Sequence, residues 1–214
     1  MNLLNSHPHV YCGSDLQTED VERHGENWAY EVGMDYPETP GRVAPKGTKK
    51  PRIVGYLVKT KHNIHQKFYK RSGLKVIFLT RTNKLAMLLS YRVCQIVGTY
   101  PDVRKEVPPL VISQEDARAY FEEWEGREYV IRRDLEGADW TEITYEHLCK
   151  DPWWTMSRVY GHLGVHAHDP HNTEGRGSEK LETRPLSEAI KNYDSLKRFF
   201  AGSRWERYFE EESW

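Results

Sequence analysis

VIFLTRTNKLAMLLSYRVCQ, Val76 to Gln95, is the stretch whose reading decides the fold. Val76, Ile77, Phe78 and Leu79 form a continuous apolar run, the pattern of a parallel strand covered on both faces. Arg81 ends the run. Thr82 and Asn83 are good N-cap types, and Leu85, Leu88, Leu89, Val93, Ile96 and Val97 then recur at helical spacing. A cation at the carboxyl end of a sheet strand, beside a helix N-terminus, sits where open α/β sheets receive anionic ligands. Ser90 is the one small hydroxyl in the body of that helix. Asn83 and Ser90 share a face two turns apart, roughly 10 Å along the axis. Arg81 and Ser90 therefore meet one anion only if the Arg side chain reaches along the helix. Strand-then-helix units with an Arg at the junction are common, so this pattern alone marks a candidate anion site and no more.

The chain has 214 residues, which suits one domain, 1–214, with a sizeable core. Hydrophobic residues make up 38% and aromatics 12%, which excludes a disordered chain. A formal net charge of −1 provides no field for general nucleic-acid binding. The basic residues dense between Lys46 and Lys75 read as a solvated face. No run approaches the ~20 apolar residues of a membrane span. Met1 to Leu4 is too short for the apolar core of a signal peptide. Cys12, Cys94 and Cys149 are widely spaced, without metal-ligand spacing, and an odd cysteine count is a poor disulfide framework. The expected compartment is a reducing cytoplasm. Oligomeric state is open at this level.

Strands and helices alternate along the chain, which predicts a three-layer α/β domain. A short strand is expected at His9 to Cys12 and another at Arg52 to Lys59. Between them Ser14 to Lys50 is polar and rich in Pro and Gly, the character of a lid or binding loop. Asn63 to Arg71 is expected as a short helix. Ser113 to Leu135 is strongly helical, with Ser113 as cap and Asp116 at the capping-box position. Glu142 to Tyr145 is a short strand. Pro152 opens a helix running to about Leu163, where Gly164 stops it. Leu186 to Phe200 is expected as one final helix, with Trp205 to Glu211 as a helical tail. No internal repeat is present.

At this point the residues resemble a known family, the bacterial and carbohydrate type of sulfotransferase that uses 3′-phosphoadenylyl sulfate (PAPS). NSHPHVYC (Asn5 to Cys12) resembles the helix end and strand after the family's phosphosulfate-binding loop. VIFLTRTNKLAMLLS resembles its 3′-phosphate segment, in which an Arg ends a strand and a Ser follows on the next helix. ITYEHLCKDPWWTMSRVYGHLGV (Ile143 to Val165) resembles its "TYE-x-L…DP…LGV" strand and helix, and RPLSEAIKNYDSLKRFFAGSRWERYF (Arg184 to Phe209) its C-terminal segment. The resemblance implies a P-loop-NTPase-like sulfotransferase fold: a three-layer α/β sandwich with a central, mainly parallel sheet. Relative to that pattern, Met1 falls inside the first helix, so the first strand and the R-[ST]-G-[ST] loop are expected to be missing. Arg71-Ser72-Gly73 is no substitute, because it precedes a strand rather than following one; it reads as a plain turn.

The resemblance implies PAPS as sulfuryl donor, adenosine 3′,5′-bisphosphate as product, no metal, and a carbohydrate or small-molecule hydroxyl as acceptor. Arg81 and Ser90 would hold the 3′-phosphate, and Arg184, before Pro185, would close over the nucleotide. Asp15, in CGSD, falls near the carboxylate that relatives use as base, one methylene shorter than their Glu; Glu19 and Glu22 are weaker candidates. Lys59, Lys61 or His62 would face the site in place of a family Lys whose position is Leu57 here, although surface lysine is the simpler reading. Glu146 reads as structural, receiving a helix or backbone donor. Core packing is expected of Trp153, Trp154, Asn192 and Tyr193. His166, His168 and His171 form HAHDPH, where incidental metal affinity is a better reading than a built site. The competing function is a catalytically impaired nucleotide-binding or interaction protein on the same scaffold. A nucleotide kinase is disfavoured, because no G-x-x-x-x-G-K-[ST] occurs.

Overall fold

A computed structural model describes strand segments Val10–Gly13 and Ile53–Tyr56 and residues 69–70, 73–97, 107–167 and 184–210. It is a mixed α/β chain with two compact units. Asp15, Glu19, Glu22, Lys59, Lys61, His62, the Ser14 to Lys50 excursion, and His168 and His171 lie outside the described residues. No described helix is long and apolar enough to cross a membrane.

The first unit holds β1 (Val10–Gly13), β2 (Ile53–Tyr56), most of β3 (Lys75–Thr80), β4 (Asp139–Thr144) as far as Ile143, and helix α4 (Pro152–Leu163). β1 and β2 run parallel, with Val10 opposite Ile53 and Gly13 opposite Tyr56. β3 pairs with β4 in a second two-stranded sheet. Lys75 Nζ donates to Asp139 at 2.6 Å, and both side chains are exposed enough that the pair contributes little. β3 departs from expectation at Leu79, which is 49% exposed rather than covered. β4 begins three residues earlier than the apolar pattern indicated.

α4 follows its capping rules closely. Asp151 accepts the Trp154 N–H at 2.9 Å, and Pro152 takes the first helical position, where no amide partner is needed. Gly164 adopts φ 75°, which an L side chain rarely does. Its N–H donates to Gly161 O at 3.1 Å while Val165 N–H donates to Tyr160 O at 3.0 Å, the paired bonds of a Schellman stop. Met156, Val159 and Tyr160 are buried. Trp153 and Trp154 are not: the expectation of core packing is corrected by exposures of 47% and 50%. Trp154 lies almost opposite Met156 in helical phase and is covered on one face by the Arg158 guanidinium, 5.0 Å from its ring centre. Helical phase does not account for Trp153.

The second unit contains α1 (Lys84–Val97), α2 (Gln114–Asp134, apart from its last residue), α3 (Tyr145–Lys150), α5 (Leu186–Ala189), α6 (Tyr193–Phe200) and a 3₁₀ turn at Glu206–Phe209. Leu85, Leu88, Leu89 and Val93 of α1 are buried as their spacing indicated, whereas Ile96 is 57% exposed. Ser113 caps α2, its Oγ accepting the Asp116 N–H at 2.9 Å. Asp116 does not complete a capping box; its carboxylate pairs with Arg92 at 3.0 Å.

The C-terminal segment differs most from expectation. One helix was expected over Leu186 to Phe200, but two form, separated at Ile190 to Asn192. The break is imposed by pairing with residues 80 positions away. Leu110 N–H donates to Ala189 O at 2.9 Å, and Lys191 N–H donates to Leu110 O at 2.8 Å. Asn192 continues the seam with its side chain: Oδ1 accepts the Ile112 N–H at 3.1 Å and Nδ2 donates to Ile112 O at 2.7 Å. The amide thus stands in for a backbone rung. Tyr193 is buried as expected, and its hydroxyl donates to Phe209 O at 2.8 Å.

Behind this seam lies an aromatic core. Phe121 meets Tyr208, Phe200 and Trp205 at ring separations of 4.9, 5.5 and 6.1 Å. Glu125 ties its edge, accepting from Tyr208 Oη at 2.7 Å, Trp205 Nε1 at 3.1 Å, Arg207 at 2.9 Å and Arg204 at 3.2 Å. Burial acts to raise the Glu125 pKa, but the Tyr208 and Trp205 hydrogen bonds and the two arginine charges outweigh it, and the net shift is downward. A depressed pKa means that Glu125 stabilises the fold above its ordinary value of 4.5 and loses that contribution as pH falls through the lower folded value. Urea titrations should therefore show wild type more stable than Glu125→Gln at about pH 7, with a smaller gap at a pH well below the ordinary 4.5. An equal gap at both pH values would refute this account.

Candidate functional site

Arg81 leaves the end of β3 with its side chain 22% exposed. Two features of α3 hold it. Its guanidinium lies over the Tyr145 ring, 4.8 Å from the centroid, and its Nε stands 4.0 Å from Glu146 Oε1. Burial, and then a hydrogen bond with Cys149, push the Tyr145 hydroxyl up to about 12. The ring therefore stays neutral at physiological pH and offers the cation a π face without competing charge.

Glu146 does more than face Arg81. Both of its carboxylate oxygens accept the Thr82 N–H at 3.0 Å, and Oε1 accepts the Asn83 N–H at 3.2 Å. These amides precede the first turn of α1, where donors lack helical partners and the helix dipole favours an anion. The sequence identified this helix start as an anion position; the anion found there is the protein's own carboxylate. The expectation that Glu146 receives a backbone donor is met.

Asn83 completes the turn. It is 2% exposed; Oδ1 accepts the Ala86 N–H at 2.9 Å as the N-cap, and Nδ2 donates to Tyr208 O at 3.2 Å. The turn at 81–83 is thus pinned by α3 on one side and by the C-terminal aromatic core on the other. Beneath it sits a feature missed at the sequence level. Lys84 is buried, its side chain 3% exposed, and its ammonium donates to the Arg81 carbonyl and to Glu128 Oε1. Glu128 is in turn 3.6 Å from Arg132. A Lys at the start of an amphipathic helix reads as solvated, and its partner is 44 residues away, so no local pattern marked the pair.

Ser90 is half-buried on α1, two turns beyond Asn83. Arg184 is half-buried and donates to the Val107 carbonyl at 2.8 Å, which ties the start of the C-terminal segment to the loop before α2. Among the described residues no group of three or more His, Cys, Asp or Glu is arranged to hold a metal, and His166 is the one member of HAHDPH that is described. Chemically, the arrangement is a fixed cation beside a helix start at which Glu146 and Asn83 already hold the Thr82, Asn83 and Ala86 amides.

Among known proteins, nodulation protein H of Rhizobium tropici is 28% identical over 221 residues, spanning 97% of this chain and 86% of that protein. Nodulation protein H of Rhizobium meliloti is 25% identical over 224 residues, spanning 97% and 88%. No family model and no solved structure matches the chain. The chain is a homologue of these proteins along nearly its whole length, and this kinship supports the bacterial sulfotransferase family read from its motifs.

Proposed function

We propose that this homologue of nodulation protein H is a sulfotransferase that moves a sulfuryl group from PAPS to a hydroxyl of a carbohydrate or small metabolite, on a three-layer sulfotransferase fold. The observation that carries the reading is Arg81, held at the end of β3 by Tyr145 and Glu146 with Ser90 two turns along the next helix. In this reading Arg81 and Ser90 grip the 3′-phosphate, and Arg184 steadies the segment that closes over the nucleotide. The donor supplies an activated sulfuryl group with a good leaving phosphate. The acceptor oxygen attacks in line, the sulfur–oxygen bond to the leaving phosphate breaks, and a carboxylate, assigned to Asp15, takes the acceptor proton. The reaction asks for placed cations rather than a metal.

Isothermal titration with adenosine 3′,5′-bisphosphate tests the nucleotide half of this reading. Arg81→Ala should weaken binding about 10- to 100-fold, the loss of one charged hydrogen-bonding partner, and Ser90→Ala by a smaller factor. Equal affinity of wild type and Arg81→Ala would remove the 3′-phosphate assignment. Sulfate transfer from radiolabelled PAPS then separates an enzyme from a protein that only binds the nucleotide.

A further inference from the structure

Glu146 is the group whose geometry goes furthest beyond an ordinary structural contact. It spans to Thr82 and Asn83 across 64 and 63 residues, and both of its oxygens are engaged. It takes up the Thr82 and Asn83 amides, the two that lead into α1. It also fixes the backbone that follows Arg81, at Thr82 and Asn83 through their N–H groups, while Tyr145, the residue before Glu146, lies beneath the guanidinium. The separation from Arg81 is 4.0 Å, too long for a charge-assisted hydrogen bond, so the dominant action is on the turn and not on the charge.

We propose that Glu146 is a positioning residue for 3′-phosphate recognition: by holding the Thr82 and Asn83 amides that lead into α1, it fixes the turn that aims Arg81 at a nucleotide phosphate. The proposal rests on the reading of Arg81 given above. Its requirement is an acceptor of the right reach, and it makes a specific distinction between two conservative substitutions. Glu146→Gln keeps an oxygen at the same length, which continues to accept the Thr82 N–H. Glu146→Asp keeps the charge but withdraws the oxygens by one methylene, and the amides lose their acceptor.

The experiment compares the affinities for adenosine 5′-phosphate and adenosine 3′,5′-bisphosphate, whose ratio isolates the 3′-phosphate. Wild type should favour the bisphosphate by about 10- to 100-fold, as expected of one charged hydrogen-bonding partner. Glu146→Gln should keep that ratio within about threefold, whereas Glu146→Asp should lower it to the ratio of Arg81→Ala. Adding Glu146→Asp to Arg81→Ala should lower it no further, which a general structural role would not produce. Affinity for adenosine 5′-phosphate should hold throughout. A full ratio in Glu146→Asp overturns the positioning role while leaving Arg81 in place. A wild-type ratio near one overturns the Arg81 reading itself, and the positioning role with it.

Discussion

Glu128→Ala should cost about 3–5 kcal/mol of folding stability in urea denaturation, among the largest single-site losses in this chain. The substitution removes one partner of a buried pair and leaves the Lys84 ammonium, its side chain 3% exposed, held by the neutral Arg81 carbonyl in place of a charge. Desolvating an ammonium is expensive, and the attraction of Glu128 is what offsets it. The same reasoning gives a contrasting expectation for the double variant. Lys84→Met with Glu128→Leu removes both charges and fills much of their volume, so it should cost far less than Glu128→Ala alone. Arg132, 3.6 Å from Glu128, loses the same partner but adds little to the cost, because its own side chain is 41% exposed. A loss below about 1 kcal/mol for Glu128→Ala would mean that water reaches Lys84 in solution, and the buried-pair description would fail.

Phe121→Ala should cost a comparable ~3–5 kcal/mol, for a different reason. Phe121 is fully buried, and its ring meets Phe200, Trp205 and Tyr208. Truncation forfeits the transfer free energy of the ring and leaves a cavity that three rigid aromatics cannot collapse to fill. Phe199 provides the comparison within the same cluster of residues. It is 41% exposed, with the Arg118 guanidinium over its ring, and Phe199→Ala should cost under about 1 kcal/mol. Thermal denaturation of the two variants side by side is sufficient; similar melting temperatures would contradict the placement of the core.

What could be read from the sequence was whatever local rules govern. The strand ending at Arg81, the Asn83 cap, the Ser113 cap and the Asp151–Pro152…Gly164 helix all follow from chemistry within a few residues. The features that escaped depend on partners far along the chain. LSEAIKNY has nothing in its composition to break a helix at Ile190; the interruption comes from Leu110 and Ile112. Lys84 is an ordinary helix-surface residue until Glu128 arrives beside it. Trp153 and Trp154 show the opposite error, in which residue type suggested burial that the fold does not provide. At the candidate site, Arg81 and the structural part of Glu146 were legible, and Tyr145 beneath the guanidinium was not.

The seam formed by Asn192 has a consequence for how the chain acquires its structure. The core it closes draws on Leu85 and Leu88 at one end and on Phe200, Tyr208 and Phe209 at the other. Contacts separated by more than a hundred residues form late, because a long loop must close before they return any free energy. During synthesis the α1 face is fully covered only after Phe200, Tyr208 and Phe209 have been added to the chain. The geometry of the Arg81 turn is completed with them, since the Asn83 side chain that fixes it donates to the Tyr208 carbonyl. The turn that carries Arg81 is thus completed only when the Glu206–Phe209 segment has joined the core of α1.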